Sequence, residues 1–132
     1  MLKKLILIWL IPFIGLFAAC EVRMTHRERI EANTGMIIPI DAIEEYYSWI
    51  LYFSGEYSLY AVYKFDEKPA EFLKEHSFEA YRQDVVYSGF KNVRNHIPEE
   101  YLGNIKGEFM GNNKGSYYFL ETNRLVISKE QS

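Results

Sequence analysis

The chain has a single cysteine, only four prolines, and no apolar run long enough to cross a bilayer. Each shortage excludes something. With Cys20 alone, no internal disulfide can staple the fold, although small exported domains often depend on such staples. The longest uncharged apolar stretch, Leu5 to Phe17, has 13 residues, whereas a helix spanning a hydrocarbon core of about 30 Å needs roughly 20. Cations are few: 15 Lys+Arg stand against 18 Asp+Glu in 132 residues. Binding to a phosphate backbone needs clustered cations, so nucleic acid is disfavoured as a partner. Histidine is limited to His26, His76 and His96, without the close His-x-His or His-x3-His spacing of a zinc site, so no metal ligand is nominated. There is no Gly-x-Ser-x-Gly elbow. Gly111 to Gly115 lacks the Gly-Lys-Ser/Thr ending of a phosphate loop and reads as a turn. No catalytic residue and no cofactor emerge from these patterns.

The chain is rich in aromatics, at 17% of residues, and all eleven tyrosines follow residue 20. Large rings can supply a small domain with a core that its length alone barely provides.

The first twenty residues have an order of their own. Met1-Leu2-Lys3-Lys4 is a short basic start, Leu5 to Phe17 is the apolar run, and Phe17-Ala18-Ala19-Cys20 places two small residues before the only thiol. This arrangement resembles the signal peptide and lipobox of bacterial lipoprotein precursors. The resemblance implies that residues 1–19 are removed between Ala19 and Cys20. It also implies that Cys20 carries a diacylglycerol, usually with a further fatty acyl chain such as palmitate on the new amine. The chain would then be held in a bacterial cell envelope by lipid. In enteric-type members an Asp after the cysteine favours the inner membrane, so Glu21 leans toward the periplasmic face of the outer membrane. One acyl chain anchors marginally, whereas two or more anchor durably, at about 0.8 kcal/mol per buried methylene. Without Lys3 and Lys4, the remainder holds 13 Lys+Arg against 18 Asp+Glu, a net of −5.

Residues 20–35 read as a lipid-anchored tether. They are polar and mixed in charge, with a capping-box pattern at Thr25-His26-Arg27-Glu28 that allows a turn or two of helix to about Ala32. Residues 36–132 read as one domain. Met36 to Ile40 is an edge strand or an extended lead-in. Asp41-Ala42-Ile43-Glu44 predicts a helix over 42–48, although residues 47–53 are also rich in strand formers. Tyr57 to Phe65 is the clearest strand, with Tyr57, Leu59, Ala61, Tyr63 and Phe65 toward the core and Ser58, Tyr60, Val62 and Lys64 away from it. Pro69 opens a short helix bearing Phe72, Leu73 and His76. Ser77 to Val86 predicts a second helical piece, and Pro98-Glu99-Glu100 a single turn stopped by Gly103. Lys106–Met110, Ser116–Leu120 and Leu125–Ser128 are strands, followed by a polar tail over 129–132. The expected class is α+β: a small antiparallel sheet with one or two short helices on one face.

Glu44-Glu45 and Glu99-Glu100 are adjacent carboxylates. Neighbours on a helix diverge by about 100°, so each pair suits a helix first turn better than a catalytic dyad. The tyrosines offer more. If alternate residues of the strands face away from the core, Tyr60 and one of Tyr117 and Tyr118 form an aromatic face of the kind protein partners favour. Two readings follow. One is a protein-binding or accessory module of the envelope, of immunity, inhibitor or assembly type. The other is a small envelope hydrolase whose site the sequence does not declare.

Overall fold

The computed structural model describes residues 24–80, 91–103, 107–112 and 115–131. Helix α1 (His26–Thr34) comes first. The Thr25 hydroxyl accepts from the Glu28 amide at 3.1 Å, and Gly35, at φ 76°, donates to the Glu31 carbonyl at 2.8 Å. These are the cap and stop that the sequence signals, with φ > 0 easily reached by glycine.

The helix is not a tether. Ile30 is fully buried. The Arg27 guanidinium donates to the carbonyls of Ile38 (3.2 Å), Pro39 (2.9 Å) and Ala42, and lies 5.1 Å over the Tyr63 ring. Arg29 lies 4.6 Å over Trp49, and the Lys129 ammonium donates to the Asn33 carbonyl. Within the expected tether over 20–35, residues 26–34 are thus a helix packed on the domain, while 20–23 lie outside the described residues. One buried position in nine residues leaves no apolar stripe to read, because the helix docks mainly through its cations.

Residues 36–40 are an extended lead-in, with Met36 and Ile38 buried and Ile37 and Ile40 exposed. Next comes β1 (Ile43–Leu51), where the sequence predicted a helix over 42–48. The local capping pattern lost to pairing. Tyr46, Tyr47, Trp49 and Ile50 are strand formers, and β1 lies antiparallel along β2 (Tyr57–Lys64), from Ile43↔Lys64 to Leu51↔Tyr57. A bulge sits between Glu44 and Tyr46. Then follow α2 (Ala70–Glu75), the short β3 (Glu79–Ala80), a helical stretch over residues 91–96 (α3), and a 3-10 turn at Glu99–Tyr101. The predicted helix over Ser77 to Val86 is strand at Glu79–Ala80; its positions 81–86 lie outside the described residues.

Strands β4 (Gly107–Asn112), β5 (Gly115–Leu120) and β6 (Arg124–Gln131) complete a six-stranded sheet of order β1-β2-β6-β5-β4-β3, antiparallel throughout. The protein is thus an α+β domain built on an antiparallel sheet. The residues read as a polar tail belong partly to β6: Lys129 is buried, its ammonium 5.6 Å over the Tyr57 ring. Gly107 (φ 150°) is needed where β4 meets β5, since a Cβ there would stand 1.9 Å from the Phe119 carbonyl oxygen.

Both faces of the sheet are covered. On one, Leu59, Ala61, Tyr63, Phe65, Tyr117, Phe119, Leu125 and Ile127 pack with Ile30, Met36 and Ile38 and with Phe72 and Leu73 of α2. On the other, Tyr60, Val62, Tyr118, Leu120 and Val126 pack with Val93, Ile97 and Leu102. Two short helices therefore share the expected face, and a third covers part of the opposite one.

Ile30→Ala tests the docking of α1. Truncating a fully buried isoleucine costs about 2–5 kcal/mol, so the urea midpoint of the whole domain should fall in one cooperative transition. An unchanged midpoint would mean that the helix hangs free.

Candidate functional site

The aromatic face expected at Tyr60, Tyr117 and Tyr118 is not a surface. Each of the three is 1% exposed. The alternation was right, since Tyr60 and Tyr118 do point away from Tyr117 and Leu59, but they point into a second core. A sheet covered on both faces has no wet side for tyrosine to occupy. Tyr60 stacks on His96 with ring centroids 4.6 Å apart and donates its hydroxyl to Glu130.

The exposed apolar surface lies elsewhere. At the end of the β1–β2 hairpin, Ile50 is 44% exposed, Leu51 63%, Tyr52 48% and Phe53 111%. A closed loop holds them: the Tyr52 amide donates to Glu56 at 2.8 Å, and the Gly55 amide to Tyr52 at 3.0 Å, with Gly55 at φ 89°. Beside this tip runs β1, nine residues long, which among the described residues pairs with β2 on one side only. An edge of that length presents unpaired backbone donors and acceptors, and a rigid apolar tip next to it gives an anchor for another chain. The order Leu51-Tyr52-Phe53 before Ser54-Gly55 was visible in the sequence as apolar residues crowding a turn.

A second feature is a cleft of about 410 Å³ lined by Lys68, Lys74, Ser77, Phe78, Glu79 and Glu108. Glu108 Oε1 stands 3.3 Å from the Lys68 ammonium, while its Oε2 is buried and has no hydrogen-bond partner among the described residues. No motif singles out Glu108 in the sequence. Two further carboxylates, on β1, have partners. Glu44 meets His26 at 2.8 Å and accepts from the Tyr63 hydroxyl at 3.1 Å, and Glu45 takes Arg124 at 2.6 Å. Both lie on β1 rather than in the helix first turn the sequence predicted, while Glu99-Glu100 do begin the turn expected of them.

The histidines stand apart, each against a ring: His26 on Tyr47 (3.6 Å), His96 on Tyr60, and His76 against Phe72 (4.6 Å). Among the described residues no three His, Cys, Asp or Glu groups gather as metal ligands. Ala19 and Cys20, the expected cleavage and lipidation positions, lie outside the described residues. Comparison with protein-family models, characterised proteins and solved structures finds no match.

Burial raises the pKa of Tyr60 and of Tyr63 well above the ordinary phenol range, helped by the Glu130 and Glu44 carboxylates beside their hydroxyls. Both are therefore neutral hydrogen-bond donors at physiological pH. In the unfolded chain these two phenols lose their protons near pH 10, and in the folded chain only above that. Stability should then be flat through neutral pH and fall as pH rises past about 10. Urea midpoints measured from pH 7 to 11 check this, and Tyr63→Phe should lessen the alkaline fall. A midpoint that rises above pH 10 would contradict it.

Proposed function

We propose that this chain is a lipid-anchored module of a bacterial cell envelope that binds a protein partner through the β1–β2 hairpin end. The anchor rests on the order of residues 1–20, from the Lys3-Lys4 start to the Ala18-Ala19-Cys20 lipobox. The binding role rests on one observation: a fully exposed Phe53, beside Leu51 and Tyr52, on a loop closed by two backbone hydrogen bonds. A loop whose backbone is already closed loses little conformational entropy when a partner covers it, and aromatic side chains dominate interface energies. The partner fits an immunity, inhibitor or assembly role. The second reading, a small envelope hydrolase, has Glu108 in its favour, a carboxylate oxygen buried without a partner at the foot of a cleft.

Two experiments separate these readings. Cells fed a radioactive fatty acid should label the parent chain and not Cys20→Ser; equal label in both removes the anchor. For the binding role, Leu51 and Phe53 are replaced together by Ser and partner capture is compared in intact cells by crosslinking. Because both side chains are exposed, stability should move by no more than about 0.5 kcal/mol, while capture falls at least about tenfold. Tyr60→Ala is the contrasting variant. It empties a buried site and should destabilise the domain by about 3–5 kcal/mol, as other aromatic truncations do. Capture unchanged by the tip substitutions, with hydrolysis of an envelope substrate lost in Glu108→Gln, would transfer the case to the enzyme.

A further inference from the structure

Exposed apolar side chains collect at both ends of the β1–β2 pair, and the two ends differ in what adjoins them. Opposite the hairpin tip stand Met24, Ile40 and Ile43, exposed by 37, 94 and 63%. They sit on two segments that are tied together. Arg27 holds the carbonyls of Ile38, Pro39 and Ala42, which bracket Ile40. His26 Nδ1 lies 2.8 Å from Glu44, the residue after Ile43. The direction of α1 fixes the geometry. Its first turn meets Glu44 and Tyr63, and Asn33 near its other end accepts from Lys129, whose strand partner is Leu59. The start of α1 and the Leu51–Phe53 tip are therefore at opposite ends, about 26 Å apart along β1 at roughly 3.3 Å per residue.

Covalent reach then selects between the ends. Four peptide units join Cys20 to Met24, and an extended chain covers at most about 3.6 Å per residue, so Met24 lies within about 14 Å of the lipidated sulfur. Such a short link holds the near end of the domain at high effective concentration against whatever surface the acyl chains enter. We infer that the end of the domain bearing Met24, Ile40 and Ile43 rests on the lipid bilayer that holds Cys20, with Ile40 foremost, and that the Leu51–Phe53 tip points away from the membrane. The inference rests on the lipid anchor proposed above. Asp41, exposed beside Ile40, limits the contact to the headgroup boundary, since a carboxylate is not carried into hydrocarbon without large cost.

The test uses the acylated mature protein purified from membranes and reconstituted in phosphatidylcholine vesicles. One added cysteine, Ile40→Cys or Phe53→Cys, carries a polarity-sensitive fluorophore; the thiol of Cys20 is already consumed as a thioether. Both positions are exposed, so folding is retained. The label at position 40 should shift to the blue and be quenched by shallow brominated lipid at least about twofold more than the label at 53, which should behave as in water. A label at 40 as wet as that at 53, or quenching at 53 in place of 40, overturns the orientation while leaving the anchor intact. Mass spectrometry that finds no acyl chain on Cys20 overturns the anchor and this inference together.

Discussion

The arrangement depends on the burial of both faces of β2 and β6 at the middle of the sheet. Leu59, Ala61, Val62, Tyr63, Leu125, Val126 and Ile127 are all inaccessible to water, and they divide between two cores on opposite sides of one strand pair. Removing this much apolar surface from water is the main favourable term for a domain of this size. It also consumes the faces of the sheet. The surfaces left for recognition are the ends of the strands and the β1 edge, which is where the exposed Ile, Leu and Phe residues stand.

The helix that opens the fold is held differently. α1 contributes Ile30 to the core and otherwise grips through Arg27, Arg29 and its C-terminal carbonyl at Asn33. Hydrogen bonds to a charged group contribute about 1.5–3 kcal/mol when the alternative is an unpaired buried donor, so a helix with almost no apolar stripe still packs firmly. The proposed anchor consequently joins the folded domain almost directly.

What the sequence made legible were features decided locally. Thr25 and Gly35 cap α1, Pro98 and Gly103 bound a single turn, and strands β2, β4, β5 and β6 fall where their residue types place them. Its failures share one cause. Helix over 42–48, tether over 20–35 and polar tail over 129–132 were each reasonable from neighbours in sequence, and each is overruled by a partner distant in sequence: β2 for β1, Tyr63 and Ala42 for Arg27, Asn33 for Lys129. The tyrosine face failed because alternation reports which side a residue takes, not whether that side is wet. Val93 and Ile97, one helical turn apart, were the sign of a second cover. Glu108 and the hairpin tip answer to no motif, since a lone carboxylate or a greasy turn acquires meaning only from its surroundings.

Strand β6 is last of the six in chain order but third across the sheet, between β2 and β5. Without it, the β1–β2 hairpin and the β3–β5 group have no strand-to-strand pairing with each other among the described residues. Closing the sheet is therefore a long-range event in the chain, since β2 finds its second neighbour only in the strand that is formed last in sequence order.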